Sequence, residues 1–180
     1  MRNILFLLLL ASVTSSFGQS LKRQTDRLAD LLDEVEFQLQ NRDLQSSLVS
    51  EADVAWHLDH LLKVYVNLHG TLSKSNPAAY QRKANFTRGV VFATGVIPRG
   101  RAQAPASVRP PDNISTQAIQ EQLAQARGLL TEFEKLDPKA NYDHAVFGPL
   151  RRNQVVKFIA IHTHHHLKIV EDIVAAHKGD

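Results

Sequence analysis

Four stretches of this chain place apolar residues at every third or fourth position, the spacing that lines one face of an α-helix and leaves the remainder to solvent. In the first, from about 21 to 39, Leu28, Leu31, Leu32, Val35 and Leu39 recur with charges between them. The second opens at Ser50, where Ser50-Glu51-Ala52-Asp53 reads as a capping arrangement, and runs through Val54, Leu58, Leu61, Tyr65, Leu68 and Leu72. The third begins near Ser115 or Thr116, carries Ile119, Leu123, Ala126, Leu130 and Phe133, and is stopped by Asp137-Pro138. The fourth follows Phe147-Gly148-Pro149 and reaches about His177 through Val155, Phe158, Ile159, Ile169 and Ile173. Strand signals are weak. Four long amphipathic segments predict an all-α fold, a four-helix bundle.

The connection between helices two and three is the unusual part. Roughly forty residues separate them, where a few would suffice. A connection of that length can return along the bundle and set helices two and three parallel, which predicts an up-down-down-up order. Within it, 77–92 reads as a short helix begun by Pro77, and Gly95 to Pro111 as irregular chain over one mouth of the bundle.

Residues 1–18 read as a secretory signal: Arg2 gives a positive start, Ile4 to Leu10 an apolar run, and Ser16-Phe17-Gly18 a small-x-small cleavage site. The expectation is an exported protein, periplasmic or extracellular, whose mature part, 19–180, is a single domain with no stable membrane anchor after cleavage. There is no cysteine, which excludes disulfides, thiolate nucleophiles and Cys-based zinc sites, so any metal must be held by nitrogen and oxygen. Between Gly70 and Pro111 there is no Asp or Glu, while Lys74, Arg82, Lys83, Arg88, Arg99, Arg101 and Arg109 all fall there. Such a stretch is either a solvated basic loop or a site for an anionic small molecule, for which Arg99 and Arg101 are the candidates. No aromatic-basic module accompanies it, so nucleic acid is not an expected partner.

The run His162-Thr163-His164-His165-His166 holds four of the nine histidines and interrupts the apolar stripe of the fourth helix. Residues four apart share a helix face, so His162 and His166 face inward with Val155, Ile159, Ile169 and Ile173 and can grip one metal ion. His165 flanks that face as a third ligand, a hydrogen-bond partner or a wall residue, and His164 points to solvent. On the second helix, His57 and His60 offer a second pair; the helical wheel puts His57 nearer the core, and both stay candidates. His69, His144 and His177 have no partner spacing and read as structural or exposed. Thr163 stands where a His-Glu-x-x-His motif carries its glutamate, which argues against a zincin protease.

Four stretches carry a further signal: Val54-Ala55-Trp56-His57-Leu58-Asp59-His60-Leu61-Leu62-Lys63-Val64, Ile97-Pro98-Arg99-Gly100-Arg101-Ala102, Phe147-Gly148-Pro149-Leu150 and Ile161-His162-Thr163-His164-His165-His166-Leu167-Lys168-Ile169-Val170. Together they resemble the DinB-like superfamily, a group of metalloenzyme-like helical bundles, in a branch of unassigned function. The resemblance implies an up-down-down-up bundle from a bacterium, with a divalent metal held by one helix-two histidine and a His-x-x-x-His pair on helix four. By position the pair is His162 and His166. The helix-two ligand falls on His60, with His57 and His165 as alternates. Three imidazoles leave coordination positions open, and nickel and zinc both suit such a set. The activities implied are a metal-dependent hydrolase or a thiol-dependent transferase acting on a small molecule, against a non-catalytic metal- or ligand-binding envelope protein. A homodimer is the assembly to look for.

Overall fold

The computed structural model describes residues 21–100 and 103–178. The signal reading at 1–18 and the candidate Arg101 lie outside the described residues. Helix α1 covers residues 21–38 and tightens into a 3-10 turn at Leu39–Asn41. Helix α2 spans Val54–Lys74, α3 Phe86–Thr94, α4 Thr116–Lys135 and α5 Arg152–Lys178. Before α5 lies a two-stranded antiparallel ribbon, β1 Asn141–His144 and β2 Gly148–Arg151, with Tyr142 opposite Leu150. The molecule is a helical bundle with one small sheet. No helix of the described residues is long and apolar enough to cross a membrane.

Local chemistry explains the helix starts. Asp53, not Ser50, is the N-cap of α2: its side chain accepts from the Trp56 N–H at 2.7 Å, a bond worth about 1 kcal/mol. Ser115 caps α4 in the same way through the Ala118 N–H. The single short helix expected over 77–92 is two pieces. Asn76 caps a 3-10 turn at Pro77–Ala79, Tyr80 is extended, and Asn85 caps α3. Two capping asparagines start two helices, so the chain between them is free to straighten. Helix α3 ends on Gly95 at φ 71°, whose N–H returns to the Val91 carbonyl.

Helix α2 is the centre of the molecule, packed against α4 on one side and α5 on the other. From α2 to α4, the contacts Asp59 with Gln122 and His69 with Phe133 advance in step, so these helices run parallel. From α2 to α5, His57 meets His166 and His60 meets His162, so this pair is antiparallel. Helix α1 runs antiparallel to α4, with Thr25 bonded to Glu134 and Arg127 to Asp33 and Glu36. One hydrophobic core joins all of them.

The ribbon turns the chain from α4 into α5. Buried Arg152 donates to the carbonyls of Glu134 and Leu136, placing a cation where the α4 macrodipole is negative. Arg88 of α3 donates to the Phe147 and Pro149 carbonyls and fastens the long connection to the ribbon.

Candidate metal centre

Because α2 is covered on both sides, its first turns are buried almost without a break, from Val54 and Ala55 through His57, Leu58, Asp59, His60, Leu61 and Leu62. Polar groups inside such a helix need partners. Asp59 turns toward α4, accepting from Gln122 at 2.6 Å and pairing with Lys63 at 2.5 Å. The two histidines turn toward α5. His57 and His60 are each 4% exposed, and across from them His166 is 8% exposed.

One ring nitrogen from each of His60, His162 and His166 lies within 4.8 Å of the others. Two nitrogens on one tetrahedral ion stand roughly 3.3 Å apart, so the rings would have to close in to hold one. The ring centroids stand 5.2 Å apart for His60 and His162, 4.8 Å for His60 and His166, and 4.5 Å for His162 and His166. His60 Nδ1 lies 2.8 Å from the Val108 carbonyl. A carbonyl only accepts, so Nδ1 carries the hydrogen and Nε2 is left with its lone pair. His162 Nδ1 is buried with no hydrogen-bond partner among the described residues, which costs about 1–3 kcal/mol. These observations fit a divalent ion: three imidazoles, one already in a ligating tautomer and one with an orphaned nitrogen.

The other histidines are disposed differently. His57 Nδ1 lies 2.9 Å from His166 Nδ1, and His57 Nε2 lies 3.0 Å from Ser50 Oγ. His165 is half-buried on the wall of a neighbouring cavity. His164 is exposed. His144 Nδ1 accepts from the Val146 and Phe147 N–H groups and closes the ribbon turn.

Burial makes these imidazoles weak bases. Desolvation lowers His57 to about 4, with the charges of His60, His165 and Arg99 adding to it. Desolvation likewise holds His162 and His166 well below the ordinary value, with neighbouring histidines in the same direction. His60 is lowered by desolvation, against its bond to Val108. All are therefore neutral at pH 7, the form a metal requires. A linkage prediction follows for the metal-stripped protein. Below 6.5 the unfolded chain takes up protons that folded His57 refuses until about 4, so stability is full above 6.5 and declines between those values. His57 alone contributes on the order of 3 kcal/mol to that decline. Urea melts at several pH values, followed by the fluorescence of the single tryptophan, should show it; a flat profile from 6.5 to 4 would refute it.

Beside the cluster opens a cavity of about 680 Å³, lined by Ser50, Trp56, His57, His165 and His166 on the bundle side and by Arg99, Gln103, Ala104 and Arg109 of the long connection. Trp56 stacks on His60 with centroids 4.9 Å apart. Arg99 pairs with Asp172 at 2.7 Å, both half exposed. Arg109 donates to the Ala104 carbonyl and has no carboxylate partner among the described residues. Sequence reasoning had placed Arg109 only within the acid-free stretch; nothing in its immediate neighbours marked it as a cavity residue.

A sequence model of the DinB superfamily matches residues 20–170. The chain belongs to the DinB superfamily. The match takes in all of α2, and α5 as far as residue 170, and so every histidine of the cluster; family and cluster together are compatible with a divalent metal. No curated protein and no solved structure matches this DinB superfamily chain.

Proposed function

We propose that the protein binds a divalent metal, nickel or zinc, through His60, His162 and His166, and that a small anionic molecule occupies the cavity beside it as the substrate of a metal-dependent hydrolase or transferase. The observation that carries this reading is the convergence of three neutral imidazoles from two helices, His60 and His166 buried and His162 partly so, with His166 on the edge of the cavity. A metal there supplies Lewis acidity toward an oxygen or sulfur of the bound molecule. The chain's own residues supply the rest: Trp56 gives an apolar wall, and Arg99 and Arg109 offer guanidinium groups to an anion at the rim. Glu51 is the one carboxylate among the lining residues, and it is exposed. That scarcity of a general base favours a second reading, a binding protein without turnover.

The finer architecture in this proposal is an up-down-down-up bundle, supported by the parallel α2 and α4 and the antiparallel α1–α4 and α2–α5 pairs. Export, with 1–18 removed as a signal, completes it on sequence grounds alone.

The first experiment is metal content, by plasma mass spectrometry, of protein purified without an affinity tag; the expected result is near one ion per chain, and failure to bind added nickel or zinc refutes the reading. The anion part has its own test. Inorganic phosphate titrated into the metal-loaded protein should change Trp56 fluorescence, and Arg99→Ala with Arg109→Ala should weaken that binding by about tenfold or more. Equal affinity in the double variant removes the arginines from the proposal.

A further inference from the structure

The structure leaves His57 out of the converging trio although it is as buried as His60 and touches His166. Its two ring nitrogens are both engaged, Nδ1 with His166 Nδ1 at 2.9 Å and Nε2 with Ser50 Oγ at 3.0 Å. Two ring nitrogens hydrogen-bond only when one bears the hydrogen and the other a lone pair, and a neutral imidazole has one of each. The chain of contacts therefore has two senses. In one, His166 donates from Nδ1 to His57, and His57 donates from Nε2 to Ser50. In the other, Ser50 donates to His57, His57 donates to His166, and the hydrogen of His166 sits on Nε2.

The two senses differ at the atom that matters. Only the first leaves His166 Nε2 bare, as it must be to bind a metal. Ser50 can serve that sense. Its oxygen already accepts from the Ala52 N–H at 3.1 Å, and a hydroxyl has a second lone pair for the His57 Nε2–H. His60 has the parallel device in the Val108 carbonyl. We propose that His57 is a positioning residue rather than a ligand: with Ser50 it accepts the Nδ1 hydrogen of His166 and fixes that ring with Nε2 bare toward the metal. This rests on the reading of His60, His162 and His166 as the ligands.

An outer hydrogen bond to a ligating histidine raises its basicity and fixes its ring, and losing it typically costs about 10–100-fold in metal affinity. The test is zinc affinity by competition with a chromophoric chelator. His57→Phe keeps the ring's bulk without its nitrogens and should bind zinc about 10–100-fold more weakly than wild type. His57→Asn places Oδ1 where Nδ1 stood, an acceptor for the same hydrogen, and should recover to within about 3-fold of wild type. A purely structural role predicts no such recovery, so an Asn variant as weak as the Phe variant overturns the proposal. Equal affinity in wild type and His57→Phe overturns it too.

If His57→Phe does not fold, Ser50→Ala carries the test, with about 3–10-fold weaker zinc binding expected at unchanged circular dichroism; unchanged affinity overturns it. Nitrogen-15 spectra of the zinc-loaded wild type read the tautomer directly. The expected result is His57 with hydrogen on Nε2 and a bare Nδ1; the reverse tautomer, or zinc on His57 itself, overturns it. A wild type that binds no zinc fails the metal reading first and takes this inference with it. A wild type that binds zinc while His57→Phe binds equally well fails this inference alone.

Discussion

Replacing His162 and His166 together with alanine should take the metal content of the purified protein from the proposed one ion per chain to background. Both rings reach into the cluster from one face of α5, and their removal leaves His60 as the sole member of the converging trio. One imidazole cannot hold nickel or zinc against water as three do, so affinity falls on the order of a thousandfold or more. His164→Ala is the control, since that ring is exposed on the same helix, and its metal content should match wild type. Metal retained by the double variant would place the ion elsewhere and end the proposal for this site. Helix content should be kept, because His162 already carries an unpartnered buried nitrogen and its loss removes a polar liability along with some packing.

The second large effect is on stability and lies on the opposite side of α2. Phe133 of α4 is fully buried and meets Tyr65 at 5.5 Å and His69 at 4.9 Å, edge to face in both cases. Phe133→Ala removes the ring and leaves a cavity between parallel helices that cannot easily collapse, at a cost of about 3–5 kcal/mol. Urea melts of metal-free protein should show the loss as a lower midpoint. A cost under about 1 kcal/mol would mean that the α2–α4 seam repacks freely. The histidine cluster is on the α5 side, so the folded variant should still bind one metal ion per chain.

Much of the bundle was legible from periodicity because α1 and α4 each bury one face, which repeats in sequence as it does in space, and α5 keeps a stripe of Lys157, His164, Lys168 and Glu171 exposed. The ribbon was not legible. Its strands are four residues long, and Tyr142 and Leu150 alone give too little alternation to stand out. The ambiguity between His57 and His60 has a physical origin. A wheel assumes one buried face, whereas the first turns of α2 are enclosed by α4, α5 and the 3-10 turn at Ala106–Val108, so both histidines are buried. What separates them is a distant partner: the Val108 carbonyl for His60 and the His166 ring for His57. Neither partner is written in the local sequence. Arg109 escaped notice because its place on the cavity depends on how the long connection folds back.

That connection also divides the protein into parts with different freedom to change. The three converging histidines stand on helices, but the carbonyl that orients His60 belongs to Val108, in the connection itself. Among the described residues, Val96 to Arg99 together with Gln103 and Ala104 can be altered to reshape the cavity wall for another small molecule, since no converging histidine hydrogen-bonds to them. Residues 106–108 lack that licence, because moving them unfastens His60. A library meant to diversify what this scaffold binds should therefore randomise the first segment and leave the second untouched.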